Sequence, residues 1–196
     1  MIASGGVIAF RTDTFYGLGA DPFNAAAVAR IRELKGREEN KPILLLISAT
    51  DQIARVIAGR SQEFDVAARE LWPGPLTIIG HAVPALPSEI TAGTGTVGVR
   101  LPAADEVREL VRECGGVLTA TSANPAGREP ARSADEVANY FSHGLDLIVD
   151  GGEVTVSEPS TVLDVTTSPP RVVREGAIRL DRIAEVTGLP LCKSKE

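Results

Sequence analysis

Aromatic residues are scarce in this chain of 196 residues, at 4%, whereas 43% of it is hydrophobic. A sizeable core is therefore available, and it has to be built from Val, Ile, Leu and Ala. Cysteine occurs twice, at Cys114 and Cys192, too far apart for a C-x-x-C metal-ligand spacing. Free thiols in a reducing compartment are the simplest expectation. No apolar run approaches the roughly 18 residues that cross a bilayer. The N-terminal "MIASGGVIAFRTDT" enters a strand with no basic region ahead of a signal core. A cytoplasmic protein with no membrane segment is expected. The formal net charge of -6 removes bulk attraction to nucleic acid, so any polyanion contact has to be local. The two histidines, His81 and His143, have no sequence context tying them to a serine nucleophile, which argues against a hydrolase triad.

No Walker A sequence is present. "GTGTVG" places Gly93, Gly95 and Gly98 in G-x-G-x-x-G spacing, but "VGVRLP" follows, a strand ended by Pro102 where a helix should open. Position 118 is Leu118, not an acid that could hold a ribose, so the dinucleotide reading is rejected.

What the chain does have is short aliphatic runs. Strands are expected at "GVIAF" (6–10), "PILLLI" (42–47), "LTIIG" (76–80), "TVGVRL" (96–101), "GVLTAT" (116–121), "DLIVD" (146–150), "TVLDV" (161–165) and "RVVRE" (171–175). Helical patterns lie between them. "NAAAVARIRELKG" puts Val28, Ile31 and Leu34 on one face, with Asn24 as N-cap and Gly36 at the end. Residues 61–72, 104–114 and 133–141 read as helices too, the last opening with Ser133 and Glu136 in capping-box spacing. The mixture predicts a single α/β domain over residues 1–185 with a twisted mixed β-sheet and flanking helices. Residues 186–196, ending "PLCKSKE", are expected to be a frayed tail.

Polar groups gather where these strands end. Lys35, Arg37 and Lys41 flank the start of the "PILLLI" run, where a compact ammonium and a planar guanidinium suit phosphate oxygens. A solvated helix C-terminus balanced by Glu38 and Glu39 would use the same residues. "LTATSANPAG" ends a buried run in Thr121, Ser122 and Asn124, either an ordinary turn or a grip on a ligand. "FRTDTFYGLGADP" carries Thr12, Asp13, Thr14 and Tyr16, as a polar loop or a pocket wall. Arg100 ends an apolar strand and needs an anionic partner if buried. Ser160, Thr161 and Arg174 repeat the theme.

Taken in order, "TDTFYGLG", "KGR" with "KPILLL", "WPGPLTI", "VGVRLP", "TSAN", "DGG", "PSTVLD" and "VVREG" resemble the YrdC-type threonylcarbamoyl-AMP synthase family, from about residue 5 to about residue 180. The resemblance implies a twisted α/β sheet with a concave, positively lined surface. It implies that L-threonine, bicarbonate and ATP become threonylcarbamoyl-adenylate and pyrophosphate. The adenylate then supplies the threonylcarbamoyladenosine modification beside the anticodon of tRNA. A separate tRNA threonylcarbamoyl transferase complex would use that product, so direct tRNA binding is expected to be weak or absent.

Carried over by motif, Lys35, Arg37, Ser122 and Asn124 would be catalytic. Arg37, Lys41, Thr96, Ser122, Asn124 and Arg174 would hold ATP. Thr14, Arg100 and Ser160 would hold threonine, with Arg100 facing its carboxylate. Mg²⁺ would come with ATP, held by phosphate and water rather than by protein side chains. Arg11 stands where the family usually has Pro, facing either nucleotide or solvent. Longer members have a second, C-terminal domain; the short, single-domain form is expected here. An RNA-binding module and a carbamoyl-adenylate module of the hydrogenase-maturation kind are the alternatives. The first lacks a basic stripe and the second is usually embedded among zinc-finger elements.

Overall fold

Asn24, Ser61 and Ser133 each start a helix in the way their side chains allow. Asn24 Oδ1 accepts from the Ala27 amide (3.1 Å), Ser61 Oγ from Phe64 (3.2 Å) and Ser133 Oγ from Glu136 (3.1 Å). These caps open α1 (Ala25–Lys35), α2 (Gln62–Leu71) and α5 (Ala134–Tyr140). The other helices are the short α3 (Ser88–Thr91), α4 (Asp105–Glu113) and α6 (Leu180–Thr187). The structure, a computed structural model, describes residues 1–36, 41–155 and 158–193.

The expected strands divide between two mixed sheets. The smaller has the order β7 (Thr121–Ser122), β2 (Tyr16–Gly19), β1 (Ile8–Arg11), β8 (Leu147–Val149). The larger has the order β11 (Cys192–Lys193), β10 (Arg171–Arg174), β9 (Thr161–Asp164), β4 (Leu76–His81), β5 (Thr96–Arg100), β3 (Leu45–Ile47), β6 (Val117–Thr119). Two strands differ from expectation. β2 lies in the stretch read as a polar loop, because Tyr16 and Leu18 are fully buried against the core and its backbone pairs with β1. The tail expected to fray is docked as far as Lys193: β11 pairs in parallel with β10, and Leu191 packs against the core.

Alternation along the larger sheet separates two faces. Leu45, Ile47, Leu76, Ile78, Val97, Val99 and Leu163 point into the main hydrophobic core. The opposite face is covered at one end, where Leu46 joins Phe10, Leu118, Val107 and Val111 in a second cluster beneath α4. Beyond that cluster it carries Thr77, Ile79, Gly98, Arg100 and Val162, which face a cleft of about 730 Å³. The run from Val117 to Ser122 passes from the larger sheet to the smaller one, and Thr119 ties them together. Its amide donates to the Ala20 carbonyl (3.0 Å), while its Oγ1 accepts from the Ala20 amide (2.8 Å). The cleft lies beside this crossing.

Glycine is required where backbone approaches closest. A Cβ on Gly176 would sit 2.2 Å from the Pro159 carbonyl oxygen. Close approach lets the Gly176 amide reach Thr161 Oγ1 (2.9 Å), which also accepts from the Ile178 amide (3.0 Å) and donates to the Ile178 carbonyl (2.6 Å). Thr161 is fully buried, so all three backbone groups lose their partner if the hydroxyl goes. Thr161→Val is expected to lower the urea-unfolding free energy by about 3 kcal/mol with an unchanged m value. A loss under about 1 kcal/mol would show that the 174–178 segment is held by something else.

Candidate active site

The cleft floor is set by strand register. Leu46 lies opposite Arg100, Thr77 opposite Val162, and Val162 opposite Arg174. Because Ile78 pairs with Val99, Thr77 and Arg100 are neighbours on the same face. Residues from positions 46, 77, 100, 162 and 174 thus form one row. An irregularity in β10 between Val172 and Arg174 breaks its alternation, so Val173 and Arg174 both reach the cleft. Gly98 keeps the floor open: a Cβ there would lie 3.0 Å from Thr77 Cγ2.

Arg100 is 2% exposed, and its planar fork is held on two sides. Nε donates to the Gly74 carbonyl (3.1 Å), in the turn that follows Trp72, and Nη2 is ion-paired with Asp13. Asp13 is presented by a turn knotted around Thr12. Thr12 Oγ1 accepts from the Thr14 and Phe15 amides (3.1 and 3.2 Å) and donates to the Phe15 carbonyl (2.6 Å). The same turn brings Thr14 to the cleft wall. Burial pulls the Arg100 guanidinium below its ordinary value, and the Asp13 carboxylate opposes that shift. Burial likewise lowers Arg174, and the positive charge of Arg100 lowers it further. Arg174 donates through Nε (3.2 Å) and Nη2 (2.9 Å) to the Ser160 carbonyl and through Nη2 to Ser160 Oγ (3.3 Å). Two guanidiniums therefore share one sheet face, and of the two Arg100 is the one paired with a carboxylate, that of Asp13. Lys41 adds a third cation to the lining and Glu129 one anion.

Of the residues singled out in the sequence, Thr14, Lys41, Arg100, Ser122, Ser160 and Arg174 line the cleft together. Lys35 and Asn124 lie behind its wall. Lys35 is 2% exposed, and its Nζ donates to the carbonyls of Ser122 and Asn124 (3.0 Å for the latter) and lies 3.5 Å from Ser122 Oγ and from Asn124 Oδ1. Asn124 Nδ2 in turn donates to the Pro125 (3.1 Å) and Arg128 (2.6 Å) carbonyls. These two residues shape the turn that carries Ser122. Thr96 shares a face of β5 with Gly98 and Arg100 but sits outside the lining, bonded to Thr94 Oγ1 (2.9 Å). Arg37 lies outside the described residues. Arg11 faces α4, with Nη1 3.5 Å from Glu106.

Three contributors were not among the site residues carried over by motif, although Asp13 and Tyr16 lay in the stretch read as a polar loop or a pocket wall. Asp13 is the partner that Arg100 required. Thr77 is a buried hydroxyl within "LTII", and its apolar flanks were the available signal. Tyr16 pins the "DGG" turn to β2: its hydroxyl donates to the Gly152 carbonyl (2.9 Å) and accepts from the Gly151 amide (3.2 Å). Burial raises its phenol above the ordinary value, with the Gly151 amide acting against that and Asp150 reinforcing it.

The Sua5_yciO_yrdC family model, described as "Telomere recombination", matches residues 1–176. The chain belongs to the Sua5/YciO/YrdC family. It is 37% identical over 187 residues to a threonylcarbamoyl-AMP synthase of Pyrococcus abyssi, covering 95% of this chain and 55% of that protein. It is 38% identical over 163 residues to one of Halorhodospira halophila, covering 83% and 85% respectively. Among solved structures, P. abyssi Sua5 complexed with L-threonine matches with a TM-score of 0.91 at 36% identity, over 97% of this chain and 56% of that one. The chain thus spans about half the length of the Pyrococcus protein and most of the Halorhodospira one. Among the described residues, no helix of this family member is long and apolar enough to cross a membrane.

Lys35 supplies a test of this wall. Lys35→Met removes the donor shared by the Ser122 and Asn124 carbonyls, and stability is expected to fall by about 2–3 kcal/mol. Activity should fall with it, as Ser122 loses its support. A variant of unchanged urea midpoint but lost activity would instead put Lys35 on the ligand.

Proposed function

We propose that the chain is a threonylcarbamoyl-AMP synthase. It condenses L-threonine, bicarbonate and ATP into threonylcarbamoyl-adenylate with release of pyrophosphate, for the threonylcarbamoyladenosine modification of tRNA. The observation that carries the proposal is the pairing of Arg100 and Arg174 on one sheet face, with Thr14, Ser122 and Ser160 around them. Such a reaction has to bring two anions together, a carboxylated amino acid and a nucleotide triphosphate, and fixed positive charge offsets their repulsion. The names of the Pyrococcus and Halorhodospira relatives support the same reading.

In this proposal Arg100 takes the threonine carboxylate through the donors that Gly74 and Asp13 leave open, with Thr14 and Ser160 on the same substrate. Arg174, Lys41 and Ser122 hold the nucleotide, and Arg37 and Thr96 extend that contact. Lys35 and Asn124 act through Ser122. The threonine nitrogen adds to the bicarbonate carbon with loss of water, giving a carbamate. A carbamate oxygen then bonds to the α-phosphorus as the bond to the β-phosphate oxygen breaks. The protein's contribution is orientation and charge, and no general base is assigned. Mg²⁺ is proposed to accompany ATP. Glu129 is the one carboxylate among the described lining residues, and no group of three or more His, Cys, Asp or Glu among them could cage a metal, so phosphate and water would supply its ligands. Transfer to tRNA falls to a separate transferase.

Pyrophosphate release from ATP and Mg²⁺ is the direct test. Release is expected to require both bicarbonate and L-threonine, with L-serine a poor substitute. Arg174→Ala should lower kcat/KM for ATP at least about tenfold while the melting temperature stays within about 3 °C. Release that ignores threonine would overturn the proposal.

A further inference from the structure

Thr77 is a hydroxyl placed where the strand pattern calls for an aliphatic side chain, between Leu76 and Ile78 and opposite Val162. It is 4% exposed, and its Oγ1 lies 2.9 Å from Oγ of Ser160, which is 3% exposed. Resting on the synthase reading, we propose that Thr77 is a positioning residue for the substrate carboxylate, acting through Ser160.

Each hydroxyl has one hydrogen and two lone pairs. Ser160 Oγ already accepts from Arg174 Nη2 (3.3 Å), and the Thr77–Ser160 contact consumes one of the two hydroxyl hydrogens, whichever oxygen donates. The other hydrogen has no protein acceptor among the described residues, and both side chains line the cleft. That hydrogen is thus available to a ligand in the cleft. The surroundings define that acceptor: Arg100 on β5 is Thr77's neighbour, Arg174 sits on the other side of Val162, and Asp13 is paired with Arg100 alone. An oxygen between two guanidiniums that also takes a hydroxyl hydrogen is anionic, and a carboxylate fits. A chain of hydroxyl to hydroxyl to carboxylate polarises along its length, so each bond strengthens the next. Thr77 thereby orients Ser160, and loss of Thr77 leaves the Ser160 hydroxyl free to turn.

Calorimetric titration of L-threonine into the ATP-free protein tests the dyad apart from turnover. Wild type should bind, and Thr77→Val should weaken binding about fivefold to tenfold. Thr77→Ala, which deletes the same hydroxyl, should match it, and Thr77→Ser should restore affinity to within about twofold. On a Ser160→Ala background, Thr77→Val should add less than about twofold, because the two act as one unit. Wild-type affinity in Thr77→Val, or an undiminished loss on the Ser160→Ala background, would overturn the dyad while leaving the synthase proposal standing. A folded wild type that binds no threonine would overturn both. Melting temperatures taken alongside separate lost affinity from lost folding.

Discussion

Taking a guanidinium out of water costs several kcal/mol unless its donors are met, and the cleft is organised around the way this chain meets that cost at Arg100. The carbonyl of Gly74 holds one side and the Asp13 carboxylate another. Each partner comes from a distant part of the sequence and is itself constrained. Gly74 follows the Trp72 turn, whose indole Nε1 is bonded to the Leu76 carbonyl (2.7 Å), and Asp13 sits in the turn organised by Thr12. Because a guanidinium has five donors, two partners leave part of it for a ligand. The charge is fixed before any ligand arrives, which is the condition under which electrostatics helps a reaction most.

A second guanidinium beside the first turns a structural ion pair into a site. Arg174 comes from β10, three strands from β5 on the same face of the larger sheet, aimed by the irregular register of β10 and steadied by the Ser160 carbonyl. Its electrostatic coupling to Arg100 is unfavourable in the free protein, and an anion placed between them relieves it. Thr161 and Gly176, one residue after Ser160 and two after Arg174, tie these strands at their shared end. Backbone support and cleft lining thus fall to adjacent residues: Thr161 and Gly176 hold the backbone, while Ser160 and Arg174 face the cleft.

Much of this was legible in the sequence. Helix caps at Asn24, Ser61 and Ser133 are local hydrogen bonds, so their positions could be read directly. Aliphatic runs located most strands because burial on both faces leaves a continuous apolar signature. β2 escaped because its glycines and polar approach look like a loop, and its strand character comes from pairing with β1 and β7. β11 escaped because a two-residue strand has no periodicity to detect. The division into two sheets was equally hidden. It turns on Ala120, whose amide bonds the Leu44 carbonyl (2.8 Å) as the chain passes between them.

The sequence by itself determined which chemistry was available: five basic side chains near strand ends, hydroxyls in "TDT", "TSAN" and "PST", and a family pattern spanning nearly the whole chain. It also determined that Arg100 needed an anionic partner, since an apolar strand end offers none. Only the tertiary structure decided that Asp13 is that partner, that Lys35 supports the Ser122 turn from behind, and that Thr77 meets Ser160. These pairings join residues 83 to 87 positions apart. Side-chain contacts over such separations are fixed by strand order and register, which arise from the packing of the whole sheet rather than from any local stretch.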